Sequence, residues 1–80
     1  MESRIITTLT DALDTITEVD IDFIEVTECN NGKYVDRTFY DIEDVAEHYS
    51  DKMHDMCSYL LTTDDDGIRQ RKGVYIEIDM

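Results

Sequence analysis

The chain has no proline, three glycines, two cysteines and only seven lysines and arginines among its 80 residues. With no proline, no repeat and no low-complexity tract, nothing marks a linker between two domains. Three glycines leave no glycine-rich phosphate loop, neither a P-loop nor G-x-G-x-x-G. G-x-S-x-G and H-E-x-x-H are missing too, and a chain this small has little room for a catalytic pocket, so an enzyme is not expected. Two cysteines make no disulfide framework. Cys29 and Cys57 read as free thiols of a reducing compartment, with a single Cys29–Cys57 bridge as the unsupported alternative. No apolar run approaches the ~20 residues of a membrane span. Met1-Glu2-Ser3-Arg4 lacks the basic-then-apolar opening of a secretory signal, so the cytoplasm is the expected compartment.

What the chain has is acid. Twenty Asp and Glu against seven Lys and Arg give a formal charge of −13. On so small a body that charge opposes compaction and steers the protein toward basic surfaces. Direct nucleic-acid binding and anionic membrane surfaces are disfavoured. The expected partner is a protein with a basic, nucleic-acid-binding surface; no oligomeric state follows. At 41% apolar and 34% charged, residues 1–80 are expected to form one acidic globular domain near the lower size limit for a self-sufficient core.

Asp41 to Leu61 is the most periodic stretch. Apolar residues recur at Ile42, Val45, Ala46, Tyr49, Met53, Met56, Cys57 and Leu60, and Asp41 with Asp44 three residues on forms a weak capping box. This predicts a long helix over 41–61. The segment from Ser3 to Ile16 places Ile5, Ile6, Leu9, Ala12, Leu13 and Ile16 on one helical face, with Ser3 as its cap. Its five threonines between Thr7 and Thr17 lower helix propensity, and a strand from Arg4 is the competing reading.

Val19 to Glu28 reads as a strand. Val19, Ile21 and Phe23 alternate with Asp20 and Asp22, then the phase slips at Ile24 and Val26, so either both faces are partly covered or a bulge re-aims the strand. Asn31-Gly32 suits a type I′ hairpin returning over Lys33 to Tyr40. Thr62 to Gly67 reads as a polar stop after the long helix. Ile68 to Lys72 is a short first arm turning at Lys72-Gly73, and Val74, Ile76 and Ile78 alternate in a terminal strand. The expected class is therefore α+β, in the order α-β-β-α-β, with an antiparallel sheet and the 41–61 helix packed on one face.

On the predicted long helix, Asp44, Glu47, Asp51 and Asp55 would form one ridge. Most such runs are solvated faces. Two features favour a working surface: Lys52 alone lies nearby to soften the ridge, and acidity continues at Asp20, Asp22, Asp41 and Glu43. Carboxylates spaced this way can stand in for phosphates. Four over roughly 16 Å is about one per 4–5 Å, near the ~3.4 Å spacing of one DNA strand, while duplex mimicry needs a second row from a strand or the first helix, for which Asp20 and Asp22 are the candidates. The expected function is a small acidic inhibitor that mimics nucleic-acid phosphates. In charge and size, though in no motif, it is like the phage-encoded inhibitors of restriction enzymes and CRISPR nucleases. The competing expectation is an interaction module that binds through a sheet edge or apolar patch, its acidity serving solubility.

No cofactor or metal is expected. Asp64-Asp65-Asp66-Gly67 fails the EF-hand loop at both ends, with Thr62 at its first position and Gly73 at its twelfth. His54 and Cys57 alone have a ligand-like spacing.

Overall fold

The computed structural model describes residues 4–65, 67–68 and 70–80. The order is β1 (Ile5–Thr8), α1 (Leu9–Thr17), β2 (Phe23–Asn30), β3 (Lys33–Phe39), α2 (Ile42–His48), a 3₁₀ turn (Ser50–Lys52), β4 (Met56–Asp65) and β5 (Gln70–Asp79). The five strands form one sheet in the order β1-β4-β5-β2-β3. Every pairing is antiparallel except β5 with β2, which run parallel. The α+β class holds. The α-β-β-α-β order and the wholly antiparallel sheet do not, because the chain opens with a strand and the predicted long helix becomes a short helix and a strand.

The opening segment is divided, strand then helix. Thr8 ends β1 and its hydroxyl accepts the Asp11 N–H at 3.2 Å, so the helix is capped at Thr8. Ser3, the expected cap, lies outside the described residues. Leu9, Ala12, Leu13 and Ile16 are buried as the helical spacing requires. The helix tolerates Thr15 and Thr17 because their hydroxyls donate back to the carbonyls of Asp11 and Leu13.

The hairpin is as expected. Asn30 pairs with Lys33, and Asn31 and Gly32 both have positive φ, 52° and 81°, the requirement of a type I′ turn. The phase slip has a plain cause. Strand β2 begins at Phe23, so Val19 to Asp22 is connection rather than strand. Ile24 and Val26 face the core, and Phe23 covers the other face, where it lies over Gly73 of β5. A Cβ at position 73 would overlap the Phe23 ring, and the Arg71 guanidinium stacks 4.9 Å from that ring's centre. An aromatic ring covering a strand glycine restores packing that glycine lacks.

The largest departure is the 41–61 helix. It stops at His48, and residues 56–65 form a strand along β5, from Cys57 opposite Ile78 to Asp65 opposite Gln70. A continued helix would stack Glu47, Asp51 and Asp55 at i,i+4, each like-charged pair costing about 0.2–0.5 kcal/mol. As a strand, residues 56–65 instead bury Cys57 and Tyr59 beside β5. The expected polar stop at Thr62 to Gly67 is also revised: Thr62 to Asp65 continue the strand, and Asp66 and Arg69 lie outside the described residues. Lys72-Gly73 is accordingly mid-strand.

Both helices lie on one face of the sheet. There Leu9, Ile16, Val45 and Tyr49 close over Ile24, Val26, Val74, Ile76, Ile78 and Tyr59. Cys57 belongs to this core, while Cys29 lies on the opposite face, its thiol 3.5 Å from Glu77. Two strand spacings (roughly 10 Å) and the thickness of the sheet separate them, so both thiols are free. Among the described residues no helix is long and apolar enough to cross a membrane.

Candidate functional site

The sequence-predicted ridge is distributed over three elements. Asp41 is the N-cap of α2, its carboxylate accepting the Glu43 N–H at 3.1 Å. Glu43, Asp44 and Glu47 are exposed on α2, opposite the buried Val45. Asp51 is in the 3₁₀ turn, and Asp55 immediately precedes β4. A row of about 16 Å along one helix axis therefore does not exist, since α2 has seven residues and spans about 10 Å.

The chain between α2 and β4 is held by specific bonds. Tyr49 N–H donates to Val45 O, Lys52 N–H to Tyr49 O, and Asp55 N–H to Lys52 O. The carbonyl of Met53 accepts both the backbone N–H and the hydroxyl of Thr10, at 2.8 and 2.7 Å, and the Asp55 carbonyl accepts the Leu9 N–H at 3.2 Å. These contacts bring Asp55 to the first turn of α1. Asp11 and Asp14 are exposed on α1 and Glu18 at its C-cap, in the same layer as α2. The helix layer thus presents carboxylates from two helices and the turn that joins them to the sheet. Asp55 pairs with Lys52 at 3.7 Å, and none of Asp11, Asp14, Asp44, Glu47 or Asp51 is paired with a described cation. A shallow hollow of about 480 Å³ beside α2 is lined by Phe39, Asp44, Glu47 and His48.

Asp20 and Asp22 were expected on a strand face and are instead in the connection before β2. The two residues differ in role. Asp22 is structural: its N–H donates to Lys72 O at 2.6 Å and its carboxylate accepts the Lys72 N–H at 2.8 Å. Asp20 is exposed beside it.

Sequence reasoning missed the cluster that positions α2. Tyr49, only 2% exposed, donates its hydroxyl to Glu28 Oε2 at 2.5 Å, and Arg37 Nε donates to the same oxygen at 2.8 Å. Phe39 packs edge-on against Tyr49, with ring centres 6.0 Å apart, and its ring lies 5.6 Å from that of His48. Nothing local in the sequence signals that Glu28, Arg37 and Tyr49 meet. The Tyr49 hydrogen bond, helped by the Arg37 charge, holds the Glu28 carboxyl below its ordinary 4.5. Burial, reinforced by the Glu28 carboxylate, pushes the Tyr49 phenol well above its ordinary 10.

Both shifts contribute to the pH dependence of stability. A lowered carboxyl stabilises the fold above about pH 4.5 and loses that contribution as pH falls through its folded value. A raised phenol stabilises the fold below about pH 10 and loses its contribution as pH rises toward its folded value. Tyr49→Phe is expected to cost roughly 1.5–3 kcal/mol at neutral pH, the range for hydrogen bonds to charged groups, and to flatten both limbs. Urea denaturation from pH 3 to 11 tests this, and unchanged limbs in the variant would assign the pH dependence elsewhere.

Neither thiol is activated. Burial raises Cys57, and partial desolvation together with the Glu77 carboxylate raises Cys29. Tyr34 and Tyr40 are exposed at 69% and 73%, whereas Tyr49 and Tyr59 are buried. His54 lies in the turn before β4 and Cys57 on the strand itself, so the two do not share a helix face. No family model matches the chain, and no curated protein or solved structure matches it.

Proposed function

We propose that this protein is a small acidic inhibitor that binds a nucleic-acid-binding protein by presenting carboxylates where that protein accommodates phosphates. The observation that carries this reading is the helix layer. Two helices share one face of the sheet, and their outer carboxylates, Asp11, Asp14, Asp44 and Glu47, are without described cationic partners. Glu43, Asp51 and Asp55 extend the surface, Asp41 caps its helix, and Asp20 lies outside the layer. Acids on α1 supply the second row that imitation of a duplex requires. Such a surface accelerates encounter with a basic channel and weakens as salt rises. The partner class is a restriction enzyme, CRISPR nuclease or other DNA enzyme, met in the cytoplasm of a host cell if the gene is carried by a phage.

A second reading has its own observation. Strand β3 is an edge strand exposed from Lys33 to Thr38, open to pairing with a strand of another protein. Its charged Lys33, Asp36 and Arg37 are the kind of residues that discourage such pairing.

The two readings separate in a pull-down from bacterial lysate at low salt with stepwise salt elution. Mimicry is supported by a nucleic-acid enzyme that is released by moderate salt and displaced by added DNA or RNA. A partner unrelated to nucleic acids and retained at high salt ends that reading in favour of the edge strand.

A further inference from the structure

The helices cover one face of the sheet and leave the other to solvent. On that open face Ile6 of β1 lies opposite Ser58 of β4, which lies opposite Glu77 of β5. Ile6 and Met56 are 72% and 59% exposed. With Ser58, Glu77 and Asp79 they line a shallow depression of about 200 Å³. A solvated sheet face is ordinarily polar, so two large aliphatic side chains beside two carboxylates call for an occupant that is apolar along its length and cationic at its tip.

We propose that this depression receives an arginine side chain of a partner protein, its aliphatic stem on Ile6 and Met56 and its guanidinium on Glu77 and Asp79. Charge complementarity selects the class. Glu25, Asp36, Glu77 and Asp79 all belong to this face, so it repels a nucleic acid, and a second copy carrying −13 would set the same carboxylates against themselves. The chain supplies an example of the contact. Arg4 places its guanidinium 3.8 Å from Glu77, across an exposed and long ion pair. Pairs of that kind are worth at most about 1 kcal/mol, so a partner's arginine that also covers Ile6 and Met56 displaces it. The inference is independent of the helix-layer reading, since the two surfaces lie on opposite sides of the sheet.

The test is an NMR titration of the ¹⁵N-labelled full chain at ~150 mM salt with a capped Leu-Arg-Leu-Arg-Leu peptide. Two control peptides replace arginine by glutamine or leucine by glycine. Shifts centred on Ile6, Met56, Ser58 and Glu77 are expected, with affinity at least tenfold weaker for Glu77→Gln with Asp79→Asn and several-fold weaker for Met56→Ser. Glu47→Gln on α2 should leave affinity unchanged, and Arg4→Gln should raise it about twofold by removing the internal competitor. All these positions are exposed, and each variant's free spectrum reports whether its fold is kept. Shifts spread over the carboxylates of α1 and α2 would overturn the proposal, as would indifference to the Glu77 and Asp79 changes or equal binding of the glycine peptide. Self-association in sedimentation that Ile6→Ser abolishes would instead assign the face to a second copy.

Discussion

Changing Asp44, Glu47 and Asp51 together to lysine is expected to weaken binding to the captured partner by at least ~100-fold, roughly 3 kcal/mol, at physiological salt. Each change replaces attraction by repulsion, and the formal charge moves from −13 to −7, three changes of two units. All three residues are exposed and make no described ion pair, so the fold should be kept. Asp44 in the first turn of α2 contributes about 0.3–1 kcal/mol through the helix dipole, and lysine at position 47, near the helix end, recovers a similar amount. Thermal unfolding should therefore shift little. Calorimetry at two salt concentrations checks the rest: the gap between wild type and variant should narrow as salt rises, because screening removes the interaction the variant lacks. An affinity within about threefold of wild type would remove the helix layer from consideration. Asp22 is unsuitable for this series, since its carboxylate holds the Lys72 backbone.

Ile76→Ala should cost about 2–5 kcal/mol, the range for removing a large aliphatic side chain from a packed core. Ile76 is fully buried at the middle of β5, opposite Tyr59 of β4 on one side and Val26 of β2 on the other. A domain of 80 residues holds on the order of 4–12 kcal/mol in total, so this one change should consume much of the margin. Leu61→Ala on the same sheet, at a side chain 45% exposed, should cost less than about 1 kcal/mol. Urea denaturation of the two variants gives the contrast. A cost under about 1 kcal/mol at Ile76 would contradict the packing between the sheet and its two helices.

Elements with local chemistry were legible in the sequence. Asn31-Gly32 announces its turn because both residues tolerate positive φ, and β5 announces itself by the alternation of Val74, Ile76 and Ile78. The opening segment was read as a single helix from Ser3, with a strand from Arg4 as the competitor; only its second half is helical, because Thr8 serves both as the end of a strand and as the cap of a helix. The region from Met53 to Leu61 was misread for a different reason. Met53, Met56, Cys57 and Leu60 fit a period of 3.6, while Cys57, Tyr59 and Leu61 fit a period of two. Only the long-range pairing of β4 with β5 decides between them, and no local pattern encodes it. The acidic residues themselves were plain in the sequence. Their arrangement was not, because it follows from α1 and α2 sharing a face and from the bonds between Thr10 and Met53.

The central place of β5 has a consequence for folding. β1 can pair with β4, and β2 can close its hairpin with β3, without any residue of β5. Neither pair touches the other within the sheet until residues 70–79 insert between them. Phe23 must wait for Gly73, fifty positions away. Until then the folding chain carries two unfinished ribbons with unpaired inner edges, the state in which strands are most open to misassociation. Thirteen surplus negative charges make neighbouring chains repel one another at that stage, so the acidity that suits a basic partner also guards the step before the sheet closes.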